Sequence, residues 1–207
     1  MAERVMKRLP LILWPALILL IGLIVGAQGQ SLPRSKAPHT GKRQRAPDVI
    51  YYPTPSDTVS EMLRLANIRK DDVLYDLGSG DGRIPIAAAQ FYGIRAVGIE
   101  INPKMVWVAK ERARALGVTN SLRFFNVDMF RANISEATIV TLYLSRKLNL
   151  LLRPKLLREL RPGTRIISHD FDMGDWKPEL TARVPWYRGY RTVYVWTVPR
   201  PGDNRQQ

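Results

Sequence analysis

Short apolar runs that resemble buried strands alternate with segments of helical periodicity from residue 48 onward. The strand-like runs are at residues 72–77, 95–100, 122–127, 138–144 and 164–168. The helical segments between them are at residues 84–91, 103–116 and 148–160. Because strands that alternate with helices pair through right-handed crossovers, we predict an α/β fold with a mostly parallel sheet and helices on both faces.

The end of this region has a different pattern. Residues 180–186 and 191–198 are strand-like, and YRGY joins them with no helix between. They predict an antiparallel hairpin at the edge of the sheet. We expect Trp176, Trp186 and Trp196 to pack against the domain.

The chain begins with an uncharged apolar run, LPLILWPALILLIGLIVGA, at residues 9–27. At ~1.5 Å per residue, such a helix is long enough for a hydrocarbon core of roughly 30 Å. Two interpretations are open: a transmembrane anchor over residues 1–27, or a signal peptide cleaved after Val25-Gly26-Ala27. Basic residues are more numerous after the run than before it, which favours an anchor with the following domain in the cytoplasm.

Charge and composition narrow the remaining possibilities. Residues 1–47 hold eight Lys or Arg and one Glu, half of the net charge of +14. Residues 28–47 are polar and basic, which predicts a flexible linker that either lies on anionic headgroups or is a soluble tether. Residues 200–207 are predicted to be a disordered tail. No Cys and only two His are present, so we expect no disulfide, no Cys nucleophile and no metal site.

A glycine-rich turn follows the first predicted strand, in the sequence YDLGSGDGRI at residues 75–84. Its spacing is G-x-G-x-G, which differs from the dinucleotide fingerprint G-x-G-x-x-G. Asp76 lies just before the glycines, where a carboxylate would repel a pyrophosphate. S-adenosylmethionine has no phosphate, and its ammonium suits an acid. The candidate cofactor-binding residues of this turn are Asp76, Gly78, Ser79, Gly80, Asp81 and Gly82.

Two more acids end the second and third predicted strands. Glu100 comes twenty residues after Gly80, where a carboxylate can accept hydrogen bonds from both ribose hydroxyls, as it also does in NAD enzymes. Asp128 can accept from an adenine amino group, with Met129 or Phe130 beside the ring. Each acid alone is equally well explained as a cap or turn residue. All three in register favour S-adenosylmethionine.

Residues 48–198 resemble the class I, seven-strand S-adenosylmethionine-dependent methyltransferases. A subgroup of small, membrane-anchored protein-lysine methyltransferases, with bacterial members and mitochondrial relatives, is closer still. The similar segments are YYPTPSDTVSEML, DVLYDLGSGDGRIPIAAAQ, VGIEINP and LLRPKLLRELRPGTRIISHDFDMGDW. The resemblance implies a Rossmann-like seven-strand domain over residues 48–199. It also implies cofactor binding by Asp76, Gly78, Gly80, Glu100 and Asp128.

The segment PTPSDTV, at residues 53–59, precedes a short predicted helix. Thr54 is predicted to cap that helix, with Pro55 at its first position and Asp57 near its positive end. In the resembled subgroup this segment also lies over the cofactor, so Thr54 is a further candidate for cofactor binding. The two roles are compatible.

The end of the fourth predicted strand, Tyr143-Leu144-Ser145, faces the transferred methyl in the resembled fold. Tyr143 is therefore the candidate catalytic residue, which would orient an acceptor amine, although a strand aromatic that simply packs explains it nearly as well. His169 and Asp170 either relay a proton or close a turn after the fifth strand. The helix at residues 148–160 and its surroundings are basic, and they face either an anionic surface or solvent.

The leading hypothesis is a membrane-tethered methyltransferase that acts on lysines of a membrane or membrane-proximal protein. Nucleic acid is disfavoured as the substrate, because the chain has neither a Cys nucleophile nor an Asn/Asp-Pro-Pro-aromatic motif after the fourth strand. Two alternatives are open: a methyltransferase for a lipid or small molecule, and a non-catalytic scaffold that binds S-adenosylmethionine.

Overall fold

Seven strands form one mixed sheet in the computed structural model, which describes Ala46, residues 51–200 and Gly202. The strand order is β3-β2-β1-β4-β5-β7-β6. The strands are β1 Val73–Leu77, β2 Arg95–Glu100, β3 Leu122–Asn126, β4 Ile139–Leu142, β5 Arg165–His169, β6 Leu180–Trp186 and β7 Gly189–Thr197. The helices are α1 Ser56–Leu65, α2 Arg83–Tyr92, α3 Pro103–Ala115 and α4 Arg146–Glu159.

The pairing confirms the predicted architecture of the domain. Strands β1 to β5 are parallel, and β7 lies antiparallel between β5 and β6. The order reverses at β1, which pairs with β2 on one side and β4 on the other. In such sheets the crevice for a ligand opens at the carboxyl ends of the strands beside this reversal.

Buried apolar layers cover both faces of the sheet. Along β1, Val73, Tyr75 and Leu77 join a layer that includes buried leucines of α4, whereas Leu74 joins the layer beneath α1, α2 and α3. This alternation follows from the two-residue period of a strand. All of β1 and β4 is buried, as expected for central parallel strands.

The predicted anchor at residues 1–27 lies outside the described residues, as do nearly all of the linker and most of the tail. No helix in the described part of the chain is both long and apolar enough to cross a membrane.

Two predictions about the ends of helices need correction. The cap by Thr54 is wrong: α1 begins at Ser56 after Pro55 without a side-chain cap, and the Thr54 hydroxyl lies 3.3 Å from His169 Nδ1. The hydroxyl of Thr54 therefore contacts His169 and does not cap α1. Helix α4 begins two residues earlier than predicted, because the Ser145 hydroxyl accepts a hydrogen bond from Leu148 N at 3.2 Å.

The C-terminal hairpin is tighter than the sequence predicts. Trp186 pairs with Gly189, so the turn consists of Tyr187 and Arg188. Trp176 and Trp196 are buried as expected, with Trp196 Nε1 donating to the Trp176 carbonyl at 2.8 Å. The prediction that Trp186 packs against the domain is wrong, because its side chain is exposed.

A buried ion pair joins three elements at the amino edge of the sheet. Arg165 of β5 pairs with Asp72, just before β1, and donates to the carbonyl of Ala66 after α1 at 2.6 Å. Asp72 also accepts from the Thr138 hydroxyl at 2.6 Å. The guanidinium therefore links α1, β1 and β5.

We predict that Arg165→Met lowers the free energy of unfolding by about 3 kcal/mol, since it leaves the buried Asp72 carboxylate without its cation. Chemical denaturation measures this loss. Arg114→Met is the matched control, because Arg114 pairs with Glu111 on an exposed helix face and should cost less than about 1 kcal/mol. Equal losses in the two variants would contradict the assigned role.

Candidate active site

A cavity of about 270 Å³ opens at the carboxyl edge of the sheet, beside the reversal of strand order. The structure brings all but two of the predicted site residues to its walls. Those lining it are Thr54, Asp76, Gly78, Ser79, Asp81, Glu100, Asp128, Met129 and Tyr143. Gly80 and Gly82 do not line the cavity.

Gly80 and Gly82 set the backbone path of the glycine turn. Both have positive φ, 51° and 76°, which side chains other than glycine rarely adopt. A Cβ on Gly80 would lie 2.5 Å from the ring of Tyr51, and one on Gly82 would lie 2.5 Å from that of Phe124. Their contribution to the site is therefore close packing and backbone shape.

Glu100 fixes the turn through its side chain. Its Oε2 accepts from Gly80 N at 2.9 Å, and its Oε1 accepts from Asn102 N at 2.7 Å. Asn102 in turn caps α3 by accepting from Lys104 N at 3.0 Å. A carboxylate oxygen accepts more than one hydrogen bond, so Glu100 can still accept from the two hydroxyls of a ribose.

Asp76 is a buried acid in the cavity wall. Burial raises the pKa of Asp76 to about 7, and the charges of Glu100 and Asp81 act in the same direction. The hydroxyl of Thr141 opposes this by donating to Asp76 Oδ1 at 2.7 Å. A ligand cation beside this carboxyl would favour its ionised form and would bind to it as an ion pair.

Asp81 has a different environment from Asp76. Burial acts to raise the pKa of Asp81, but Arg83 and Arg112 together hold it below its ordinary value. Arg83 Nη2 lies 2.9 Å from Asp81 Oδ2, and Arg83 Nη1 donates to the Thr54 carbonyl at 2.7 Å. The acid is thus neutralised within the protein, and the pair ties the segment before α1 to the glycine turn.

The sequence reasoning missed Arg83 and Arg112. Arg83 directly follows the glycine turn, so its position beside Asp81 was a usable local signal. Arg112 is on α3, 31 residues from Asp81, and nothing local marks it.

Asp128 and Met129 line the cavity just after β3. Asp128 Oδ1 accepts from Phe130 N at 3.0 Å, which fixes the turn after β3. The Asn126 amide donates to the carbonyls of Glu100 and Ile101 at 3.0 and 2.9 Å, so this wall is joined to the end of β2. An acid beside an apolar Met surface suits an adenine ring.

Tyr143 follows β4 and lies in a stack of rings. Its ring centroid is 3.8 Å from that of His169 and 6.1 Å from that of Phe171. Burial raises the pKa of Tyr143, so its hydroxyl keeps its proton at neutral pH. Tyr143 is therefore suited to orient an acceptor group and unsuited to act as a base there.

His169 supports the site from behind Tyr143 and does not line the cavity. Its Nδ1 lies 3.3 Å from Thr54 Oγ1, so it contacts two cavity residues. Burial lowers the pKa of His169 to about 4, and the imidazole is neutral at pH 7. Asp170 closes the following turn by accepting from Thr192 N at 2.9 Å and pairs with Arg191. Of the two alternatives for His169 and Asp170, this geometry therefore favours the closure of a turn over a proton relay.

The sheet order and the acids after its first three strands define a class of enzyme. They are those of the class I S-adenosylmethionine-dependent methyltransferases, and S-adenosylmethionine is the cofactor. The chain belongs to a particular family within this class: the ANTKMT methyltransferase domain, whose model matches residues 76–180.

Several curated relatives are named as lysine methyltransferases. A protein-lysine N-methyltransferase from Saccharolobus islandicus (strain REY15A) is 41% identical over 73% of this chain and 95% of the relative. The adenine nucleotide translocase lysine N-methyltransferase of Mus musculus is 34% identical over 63% of this chain. The chain spans only about half of that mouse protein, 56% of its length.

A solved structure shares both fold and sequence with this chain. It is described as an RNA methyltransferase from Salinibacter ruber in complex with S-adenosyl-L-homocysteine. It is 49% identical, has a TM-score of 0.69, and aligns over 75% of this chain and 99% of its own. The two kinds of relative agree on methyl transfer and differ in the acceptor that their names give.

The cavity fits the cofactor group by group. The buried Asp76 carboxyl can face the ammonium, Glu100 can hold the ribose, and Asp128 with Met129 can hold the adenine. We expect Thr54 and the backbone of Gly78 to approach the rest of the cofactor, since both line the same cavity.

We predict that cofactor affinity rises about fivefold from pH 6 to pH 7, as Asp76 with a pKa of about 7 loses its proton and becomes able to pair with the ammonium. Titration calorimetry at the two pH values measures the change. The stability of the cofactor-free fold changes in the opposite direction. Because the pKa of Asp76 is raised on folding, its contribution to stability is fully present below the ordinary pKa of an aspartate and is lost as pH rises through about 7.

Asp76→Asn should bind the cofactor weakly and with little dependence on pH over the same interval. Asp128→Asn is the control, because it should weaken binding at both values and leave the pH dependence in place. An unchanged pH dependence in Asp76→Asn would mean that another group titrates.

Proposed function

We propose that this chain methylates lysine side chains of a membrane or membrane-proximal protein. Its family and the names of the Saccharolobus and mouse relatives support lysine as the acceptor. The observation that carries the proposal is the aromatic wall at Tyr143, beside the cofactor cavity and with a proton held on its hydroxyl.

The acceptor side of the cavity suits an amine. A free lysine has a pKa of ~10.4, so it must lose a proton before it can act as a nucleophile. Tyr52, Tyr143 and Leu144 line the cavity, and an apolar wall of this kind favours the neutral amine over the ammonium. The proton then leaves to solvent, since neutral His169 is behind the wall with a pKa of about 4.

The cofactor supplies an electrophilic methyl group on a sulfonium, and the protein supplies alignment and dryness. Asp76 and Glu100 would hold the cofactor, the methyl donor, in place. Tyr143 would hold the acceptor by contacting its nitrogen, and the stack with His169 and Phe171 holds the Tyr143 ring in place. Attack in line with the departing sulfur requires only that donor and acceptor are both held.

Membrane attachment is also part of the proposal. The uncharged run at residues 9–27 would anchor the chain, and the excess of basic residues after it would keep the catalytic domain in the cytoplasm. The basic linker would lie along anionic headgroups. An anchored enzyme meets acceptors in or near the same membrane.

RNA is the second candidate acceptor, because the 49% identical Salinibacter structure is described as an RNA methyltransferase. The net charge of +14 would also suit a nucleic acid. Against it, the sequence after β4 is YLSR, without the Asn/Asp-Pro-Pro-aromatic motif of enzymes that methylate base amines.

We predict that Tyr143→Phe lowers turnover roughly 10- to 100-fold, because the acceptor nitrogen loses the group that orients it. Cofactor affinity should be unchanged, and calorimetry measures it separately. Tyr75→Phe is a matched control, since the Tyr75 hydroxyl donates to Glu136 at 2.7 Å and is not part of the cavity. If Tyr143→Phe lost cofactor affinity by the same factor as turnover, the assignment of Tyr143 to the acceptor pocket would be wrong.

The acceptor is tested by incubating the full chain with methyl-labelled S-adenosylmethionine and a whole lysate of the source organism. Protein, lipid and RNA fractions are then counted separately, and labelled protein is hydrolysed to identify methyllysine. We expect methyllysine in a protein of the membrane fraction. Glu100→Ala, which should not bind cofactor, is the blank. Label confined to lipid or RNA would refute the lysine proposal.

A further inference from the structure

The tip of the β6–β7 hairpin lies at the same edge of the sheet as the cavity. Strand β7 runs antiparallel to β5, with His169 opposite Val193. Residues 189–192 therefore extend past the carboxyl end of β5. Asp170 N donates to the Thr192 carbonyl at 2.7 Å, which secures the base of the hairpin beside His169.

Large aromatic side chains project from this tip. Tyr187 is 94% exposed, Tyr190 65% and Trp186 40%. Tyr187 also has a φ of 45°, in the left-handed region where glycine or asparagine is usual, so a bulky ring is held there against backbone preference. Exposed Trp and Tyr with polar ends are characteristic of surfaces that sit at the boundary between water and lipid.

The charge at the tip is positive and uncompensated. Arg183 and Arg188 lie 5.9 Å from the ring centroids of Tyr190 and Tyr187, and neither has a carboxylate partner in the described part of the chain. Residues 180–193 contain no Asp or Glu.

The basic helix α4 differs in this respect. Its Arg146 and Arg153 pair with Asp172 and Asp175. Much of the positive charge of α4 is thus satisfied within the protein. Of these two surfaces, the hairpin tip therefore has its positive charge less compensated by carboxylates of the described residues.

We propose that residues 183–190 form a membrane-docking tip that seats Trp186, Tyr187 and Tyr190 among the headgroups of an anionic bilayer. The arginines would pair with lipid phosphates while the rings enter the interface. The uncharged run at residues 9–27 is long enough to span a bilayer, so the chain carries a second and independent signal for a lipid partner. Lipid is therefore favoured over RNA.

Docking at this tip places the mouth of the cavity at the membrane surface. It is a second contact, independent of the apolar run at residues 9–27, and it orients the domain. The inference does not depend on lysine being the acceptor, so its test is separate from the labelling experiment.

The absence of cysteine allows a direct test in the full chain. A polarity-sensitive fluorophore is attached at Tyr187→Cys, and at Phe91→Cys as the matched control. Phe91 is 74% exposed and lies near the end of α2, at the opposite edge of the sheet. Both proteins are reconstituted with vesicles of phosphatidylcholine alone or with added phosphatidylglycerol. Retained cofactor binding shows that each variant is folded.

On anionic vesicles we expect acrylamide quenching of the fluorophore at position 187 to fall about threefold, with a blue shift in emission. The fluorophore at position 91 should not change. Arg183→Glu combined with Arg188→Glu should abolish the protection at position 187.

Three results would overturn the proposal. The first is equal quenching at positions 187 and 91 on anionic vesicles. The second is the same protection on pure phosphatidylcholine, which would remove the assigned role of the arginines. The third is protection at position 187 by an RNA oligonucleotide but not by vesicles.

Discussion

The hydrogen bond from Gly80 N to Glu100 organises the cofactor site of this protein. It joins the turn after β1 to the end of β2 at 2.9 Å, and the other oxygen of Glu100 holds Asn102 at the start of α3. Gly80 has a positive φ, and a Cβ at this position would lie 2.5 Å from the ring of Tyr51, so the turn takes this path only with glycine. The glycine spacing and the acid twenty residues later are thus two halves of one interaction. This interaction fixes the glycine turn against the end of β2.

The acids of the glycine turn show how position decides chemistry. Asp76 and Asp81 are five residues apart, yet the pKa of the first is raised to about 7 and that of the second is lowered. Burial raises the pKa of Asp76, whereas Arg83 and Arg112 pair with Asp81 and lower its pKa against the effect of burial. Only Asp76 is left to gain from an incoming cation. A turn with two neutralised acids would have little preference for a cofactor that carries an ammonium.

Much of the fold was predictable because its signals are local. Apolar runs locate the strands, and the acids at their ends meet because parallel strands present their carboxyl ends together. Long-range contacts were not predictable. Thr54 fits every rule for a helix cap, but it meets His169, 115 residues away, and leaves α1 uncapped. Arg112 pairs with Asp81 across 31 residues. Exposure of Trp186 depends on a turn tighter than YRGY indicates.

Because β7 runs antiparallel to β5, the β6–β7 hairpin lies at the same edge of the sheet as the cavity. Parallel strands bring only their carboxyl ends to that edge, and the helices that follow them lead the chain away. An antiparallel hairpin beside β5 brings a turn there instead, so the tip at Tyr187 lies at the same edge of the sheet as the cavity. Asp170 couples the two, because it accepts from Thr192 of the hairpin and follows His169, which stacks on Tyr143. Asp170 and the pairing of β5 with β7 therefore connect the hairpin to His169 and, through its ring stack, to Tyr143. Under the proposed function, a membrane contact at the tip would act next to the residues that hold Tyr143 in place.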